Sequence, residues 1–520
     1  MSQANEMTGA ESLVRTMIAG GVDTCFANPG TSEMHFVAAL DQIPGMRCVL
    51  GLQENVVTGM ADGFYRIADR PACTLLHCGP GLANGLANLH NARRAGSGMV
   101  NIVGDQATYH APLDAPLTAD IEALARTVSA WVRTSARPQD VGQDAAAAMQ
   151  AARTIARNLA TLILPSDSSW GRGGVVAEPL PKLRAPAIDP HAVEAAAAAL
   201  RSGGPNVLIL LGGRGFRAVS QRLAWRLAHA SGAAILGEFV APRVERGAGR
   251  LPLERIPYDT DAATKVLARY TDIVLVGARP PVSFFAYPDK PSRQHANDAR
   301  LHILARPEQD VETALAAVVD ALGVPDAAYP AGADRPQRVT GKPSPEGLAR
   351  MLASVMPEGA IVSDESISFG RGLYAETHGA APHDWLHLTG GAIGDGLPVA
   401  TGAAIGAGGS RRVISLQADG SAMYSLQSLW TQARERLPVT TVLLSNRKYN
   451  ILIGEYKGVG AVPGQTAMNM LDLSNPGIGW VKLAEGMGVE AVQAHSLEQC
   501  ADMLEASFHL ARPFLVELVI

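Results

Sequence analysis

Cysteine is scarce and poorly spaced for a structural role. The 520-residue chain has five, Cys25, Cys48, Cys73, Cys78 and Cys500. They form no C-x-x-C pair and no zinc-ligand spacing, and an odd number does not suit a disulfide framework. A reducing cytoplasm is the expected compartment. Charge of one sign is equally lacking: the net charge is −5 without long like-charged runs, so no electrostatic footprint for nucleic acid or an anionic membrane is visible. No apolar run approaches the roughly 20 residues of a membrane span. The opening MSQANEMTGAESLV has neither the basic nor the apolar region of a signal peptide. These absences leave a soluble protein whose expected partner is a small molecule.

What is present is apolar and rhythmic. Hydrophobic residues make up 47% of the chain, which excludes bulk disorder, and the length suggests about three domains. Short Val/Ile/Leu-rich runs recur between helical stretches: Thr74–Leu76, Val100–Val103, Thr161–Leu164, Val207–Leu211, Ile273–Val276, Leu301–Leu304, Arg412–Leu416, Val439–Leu444 and Phe514–Ile520. Continuous rather than alternating runs belong to strands covered on both faces, so the fold class is α/β with doubly wound parallel sheets. Pro165–Pro190 and Gly323–Pro345 are too rich in Pro, Gly and Ser to be elements and read as linkers. Three domains are therefore expected, at 1–180, 190–325 and 345–520. Thr8-x-x-Glu11 is a capping box for the first helix.

The strongest chemical motif lies in the last domain. A strand over Val413–Leu416 runs into Ala418-Asp419-Gly420-Ser421, a helix follows to Arg436, and a second strand ends at Ser445-Asn446. A carboxylate and a carboxamide at the ends of neighbouring parallel strands sit side by side at the carboxyl edge of a sheet, where ligands bind. Their oxygens suit Mg²⁺, which completes its shell with phosphate oxygens and water. Alone, the Asp-Gly-Ser turn would read as a helix N-cap; the position of Asn446 favours a magnesium-diphosphate site.

With this motif the chain resembles the thiamine-diphosphate (ThDP) enzymes of the 2-oxoacid decarboxylase and acetolactate synthase superfamily, and most closely the benzoylformate decarboxylases. Their Gly-Asp-Gly and Asn-Asn patterns are present with Ala418 and Ser445 as departures. The resemblance covers nearly the whole chain. It implies pyrimidine-binding, middle Rossmann-like and diphosphate-binding domains. It also implies Mg²⁺ on Asp419, Asn446 and the Lys448 main-chain carbonyl, with Gly420, Ser421 and Tyr449 beside the cofactor. Further implied cofactor contacts are the Gly391 carbonyl to the aminopyrimidine, Ile393 as the wedge that keeps ThDP bent, and Ser368 in the turn Ser363–Ser368 as a diphosphate contact.

Near the N-terminus, Glu54 opens a helix, where an acid is favoured by the helix dipole alone. The resemblance gives it another role, as the buried acid that hydrogen-bonds the aminopyrimidine and activates the cofactor. In Phe26-Ala27-Asn28-Pro29-Gly30-Thr31-Ser32-Glu33 the turn presents hydroxyls that would otherwise be N-caps. By resemblance Thr31 holds the substrate carboxylate, Asn28 and Gly30 form the same wall, and His77 is one of two active-site histidines. The second is missing, because Phe285 stands at its position. The acid that pyruvate decarboxylases carry after the Asn motif aligns with Leu452. His110 is the best substitute donor in the sequence, and equally reads as an ordinary loop histidine. Ile451 and Leu452 are expected to face Phe284 and Phe285 across a narrow pocket that prefers small aliphatic 2-oxoacids.

The implied activity is decarboxylation of a 2-oxoacid through an enamine (carbanion) intermediate. Carboligation of the acetolactate synthase or 2-hydroxyacyl-CoA lyase type is the alternative, favoured by the lost histidine. A non-catalytic scaffold is the third reading. The family pairs its two cofactor-binding domains across subunits, so a homodimer at least, and a tetramer by doubling, is expected. Gly212-Gly213-Arg214-Gly215 follows a strand in the middle domain, but it is not a full G-x-G-x-x-G. With no acidic residue at the usual distance, it reads as vestigial rather than as a nucleotide site.

Overall fold

The computed structural model describes residues 6–154, 159–330 and 334–520. Three α/β units follow one another, each built on a sheet whose central strands are buried on both faces. The first sheet has β1 (Thr24–Ala27), β2 (Arg47–Leu50), β3 (Ala72–Leu76), β4 (Met99–Asp105), β5 (Trp131–Thr134) and β6 (Leu159–Pro165). Its order is β2-β1-β3-β4-β6-β5, all parallel. The middle segment supplies β7 (Val207–Leu211), β8 (Ala234–Gly237), β9 (Val244–Arg246), β10 (Asp272–Val276) and β11 (Arg300–Ala305). Of these, four form a parallel sheet in the order β11-β10-β7-β8.

The last segment contributes β12 (Ile361–Glu365), β13 (His383–His387), β14 (Val413–Ala418), β15 (Val439–Ser445), β16 (Glu490–Ala494) and β17 (Phe514–Val519). The third sheet runs β16-β17-β15-β14-β12-β13-β9. Its edge is not its own: β9, from the middle segment, pairs antiparallel with β13. Continuous burial explains the parallel pairing, since all five residues of β3 and all seven of β15 are inaccessible.

Each sheet changes direction at its first strand, which creates a crevice at the carboxyl ends of two neighbours. These switch points lie between β1 and β3, between β7 and β10, and between β12 and β14.

The first and third units are locked together within the chain. Helices Glu54–Ala68 and Gly396–Gly406 meet backbone to backbone. A Cβ on Gly63 would lie 2.1 Å from the Val399 oxygen, and one on Gly402 would lie 1.9 Å from the Met60 oxygen. Only glycine permits that approach. Arg66, buried on the first helix, pairs with Asp62. It also donates to the His387 carbonyl at 2.7 Å and the Thr389 hydroxyl at 3.1 Å.

Several local expectations change. Pro165–Pro190 is not linker throughout, because Pro165 ends β6 and Ser166–Trp170 is a short helix whose Ser168 and Ser169 are buried. Gly323–Pro345 carries no helix or strand over its described part before Pro345 opens a helix; 331–333 lie outside the described residues, as do 1–5 at the N-terminus. The helix after Asp419 is broken into Asp419–Ala422 and Ser428–Arg434. The Thr8/Glu11 capping box is formed. Among the described residues no helix is long and apolar enough to cross a membrane.

Candidate active site

At the first switch point, β1 ends in the Asn28-Pro29-Gly30 turn and a 3₁₀ turn over Thr31–Glu33, while β3 ends at His77, the N-cap of helix Cys78–Ala95. Gly30 lies flat against His77, where a Cβ would come 2.2 Å from Cγ of the ring. Glu33 is 2% exposed; one oxygen accepts the Gly30 N–H at 2.7 Å and stands 3.0 Å from His77 Nδ1. Ser32 Oγ donates to Glu33 and lies 3.2 Å from His77 Nδ1 and 3.1 Å from Cys78 Sγ. Thr31 is exposed and Asn28 and Gly30 are half-buried on the same turn. Burial, with Glu33 and Asp105 nearby, pushes the Cys78 thiol up to about 11 against a lowering bond from Ser32.

Glu54 is 8% exposed at the first position of its helix. One oxygen accepts from Asn84 Nδ2 at 3.0 Å. Gly81 brings it close to His77: a Cβ there would lie 3.2 Å from Glu54 Oε1 and 3.4 Å from His77 Cβ. Glu54, His77 and the turn after β1 thus share one crevice. His110 stands apart in sequence on the loop after β4, half-buried, donating its main-chain N–H to the Ala107 carbonyl at 2.7 Å.

At the third-sheet switch point, Asp419 follows β14, 2% exposed. Its carboxylate accepts only main-chain N–H groups, Gly420 at 2.9 Å and Arg447 at 2.6 Å, and burial raises its pKa. Asn446 follows β15, and its Oδ1 accepts the Lys448 N–H at 3.0 Å. Arg447 turns the chain there with a left-handed φ of 55°. The Lys448 carbonyl accepts the Asn450 N–H at 3.0 Å. Tyr449 covers Gly420, where a Cβ would be 2.5 Å from the ring. Ser421 donates to the Ala418 carbonyl at 3.1 Å, and Ser368 accepts from Asn450 at 3.5 Å.

The loop with Gly391 and Ile393 is pinned from two sides. Glu365, at the end of β12, accepts N–H groups of Gly394 at 2.6 Å and Gly396 at 2.8 Å. Asn91 and Asn88 of the first unit donate to the carbonyls of Ala392 at 2.8 Å and Gly394 at 3.1 Å. Burial pushes Glu365 up to about 7. Gly391 has φ 82°, and Phe284 lies over it, 2.5 Å from where a Cβ would be.

The comparisons with known proteins match these two half-sites. Residues 7–124 match the N-terminal TPP-binding domain of thiamine pyrophosphate enzymes, and residues 373–518 match their C-terminal TPP-binding domain. Over 99% of both chains, the sequence is 49% identical to a Mycobacterium tuberculosis protein named "Putative acetolactate synthase large subunit IlvX". The chain belongs to the thiamine pyrophosphate enzyme family. Its decarboxylase/acetolactate synthase branch includes the benzoylformate decarboxylase of Pseudomonas aeruginosa, 27% identical over 96% of each chain. Among solved structures, the ThDP-dependent 4-hydroxybenzoylformate decarboxylase of Rhodococcus jostii RHA1 superposes with a TM-score of 0.84, at 25% identity and 98% coverage of each chain.

The residues present fit the family's cofactor. Asp419 is a buried carboxylate with no ion-pair partner among the described residues, which suits a bound cation. Its neighbours Asn446 and the Lys448 carbonyl are hard oxygen donors of the kind Mg²⁺ takes.

Ile451 lines a cavity of about 330 Å³ with Ser368, Tyr258, Tyr287, Arg371 and Glu455. Phe284 lines a separate one of about 380 Å³ with Arg94, Glu238, Tyr258 and Arg279. Tyr258 lines both cavities. Leu452 and Phe285 are 46% and 57% exposed. Tyr258 and Tyr287 reach from the middle segment to Glu455, donating to its carboxylate at 3.1 and 2.7 Å.

Sequence reasoning missed Glu33, Asn84, Glu365 and Glu455. Glu33 had a signal, an acid three residues after Gly30 in a capping pattern; Glu365 ends a strand inside a motif already singled out. It also missed Glu238, which follows β8 and sits 2.5 Å from a Cβ position on Gly212. The middle-domain turn therefore does have an acidic neighbour, and that carboxylate lies in the turn itself.

Proposed function

We propose that the protein is a ThDP- and Mg²⁺-dependent carbon–carbon lyase that decarboxylates a small 2-oxoacid. The observation that carries this reading is the pairing of two different switch-point crevices in one chain. One gathers a buried acid and a carboxylate-held histidine; the other has a buried carboxylate seeking a cation. Asp419, Asn446 and the Lys448 carbonyl would hold Mg²⁺, with Gly420, Ser421, Ser368 and Tyr449 around the diphosphate. Gly391 and Ile393 would hold the rings, and Glu54 would meet the aminopyrimidine. When bound, ThDP supplies the electron sink for the carbon–carbon bond that breaks.

The chain's own residues account for the rest. Glu54, shielded from water and braced by Asn84 at one carboxyl oxygen, would hydrogen-bond the aminopyrimidine through the other. Glu33 fixes the His77 ring, so that its other nitrogen, Nε2, faces the substrate carboxylate beside Thr31, Asn28 and Gly30. In this reading the first unit of one subunit completes the third unit of a second, so the working form is a homodimer or a tetramer made from two. Five free cysteines fit a reducing cytoplasm.

A second reading has a specific support. Phe285 and Leu452, where relatives place proton donors, are apolar and exposed, leaving His110 as the substitute. Slow protonation would favour capture by a carbonyl acceptor, the carboligase outcome. A scaffold role is disfavoured because both Glu54 and Asp419 are retained. The test is incubation with ThDP, Mg²⁺ and a panel of 2-oxoacids. Aldehyde supports the lyase, acyloin or acetohydroxyacid the carboligase, and no product with any acid overturns both.

A further inference from the structure

We propose that Glu33, His77 and Cys78, with Ser32, form a binding site for a thiophilic divalent cation of the Zn²⁺ class, overlapping the place we assign to the substrate carboxylate. Three ligand types converge there: one atom each from the Glu33 carboxylate, the His77 ring and the Cys78 thiol lie within 4.8 Å of one another. Nothing in the spacing of the chain announces this set, because Glu33 and His77 are 44 residues apart and meet only through the pairing of β1 with β3.

The ligand atoms stand close to tetrahedral separations, the Glu33–His77 pair slightly inside them. With Zn–N, Zn–O and Zn–S bonds of about 2.0 to 2.3 Å, ligand atoms stand roughly 3.3–3.8 Å apart. The Glu33 oxygens are 3.0 and 3.2 Å from His77 Nδ1. Ser32 Oγ is 3.1 Å from Cys78 Sγ, so the fourth position falls to that hydroxyl or to water. Small outward shifts open the centre.

Charge and access agree. Glu33 and Cys78 are 2% and 1% exposed, while the His77 side chain keeps 22% of its surface open, so a cation enters past the imidazole into a dry cluster. Binding releases the Cys78 proton to solvent and forms a Zn–S bond; carboxylate and thiolate then neutralise the ion. Cys78 has a left-handed φ of 52°, unusual for a residue other than glycine, and its thiol lies beside Ser32. Sulfur and imidazole ligands select against Mg²⁺, so the cofactor's metal does not compete. Because Zn²⁺ would take His77 Nδ1 from Glu33, the bound ion inhibits. That consequence rests on the proposed role of His77, whereas the binding itself does not.

Co²⁺ is the spectroscopic probe, titrated into the Mg²⁺- and ThDP-loaded protein. A near-ultraviolet thiolate-to-Co²⁺ band that saturates at one ion per chain, and that Zn²⁺ removes, is expected. The band should persist in Cys48→Ser and vanish in Cys78→Ser. No thiolate band in the wild type, or a band kept in Cys78→Ser, overturns the site. Zinc-edge X-ray absorption on the wild type needs no variant. One sulfur near 2.3 Å is expected, and a shell of nitrogen and oxygen alone contradicts the proposal. With a 2-oxoacid substrate, Zn²⁺ should inhibit the wild type at least tenfold more strongly than Cys78→Ser. Band without turnover would sink the proposed reaction and leave the metal site standing.

Discussion

The two crevices that form the candidate active site arise from the same topology and hold opposite chemistry. Between β1 and β3 the polar groups are side chains, Glu33, Glu54 and His77, bonded to one another or to Asn84. Between β12 and β14 they are mainly backbone: among the described residues Asp419 and Glu365 are bonded by main-chain N–H groups, and the rings of Tyr449 and Phe284 pack on Gly420 and Gly391 where a side chain would block them. A parallel sheet supplies the place in both cases. The residues at its strand ends decide whether that place gathers acids and an imidazole or main-chain donors around buried carboxylates.

If the division is right, damage to the first crevice should spare cofactor binding. Glu54→Gln should lower turnover by about 10²–10⁴-fold with ThDP affinity nearly unchanged, read by steady-state kinetics beside calorimetric titration. Equal losses in both would erase the distinction. Asp419→Ala should do the reverse, weakening Mg²⁺–ThDP binding by roughly 100-fold or more, as expected when a metal loses a direct ligand. Cofactor titration of that variant at fixed Mg²⁺ checks it, and wild-type affinity would remove Asp419 from the metal.

Much of this division is legible in the sequence because it depends on strand ends. Val413–Leu416 and Val439–Leu444 are continuous apolar runs, so Asp419 and Asn446 can be placed beside each other before any fold is known. Glu33 cannot be placed in this way. Its partner His77 is brought to it by β1 and β3, and β1 is only four residues long, too short to stand out as a run. Tyr258, Tyr287 and Glu455 were hidden for the same reason, since they meet only where the middle segment folds back on the third unit. β9 is the extreme case, three residues that leave their own sheet to edge another.

A smaller effect separates the two crevices by pH. Burial holds Glu365 at about 7 in the folded protein, above the ordinary carboxylate value of 4.5. The folded state therefore keeps a proton that the unfolded chain has lost. Stability from this group is full below about 4.5 and falls as pH rises through about 7, by at most about 3 kcal/mol. Thermal melts from pH 5 to 8 should show the decline, and Glu365→Gln should flatten it. An unchanged slope in the variant would assign the decline to other groups.

The smallest effect sharpens the first crevice internally. Glu33→Gln removes the carboxylate beside His77 Nδ1 but keeps a hydrogen-bonding side chain. We expect kcat/KM for the active 2-oxoacid to fall about tenfold, in the range of a lost charge-assisted bond. An unchanged kcat/KM would make Glu33 a cap for Gly30 and nothing more.

The central claim is that this chain activates ThDP through Glu54 while Asp419 holds it. Hydrogen–deuterium exchange at C2 of the bound cofactor, followed by NMR after acid quench, reads that step without any substrate. The account predicts fast exchange in the wild type and near-background exchange in Glu54→Gln at full cofactor occupancy. Wild-type exchange rates in Glu54→Gln would contradict it.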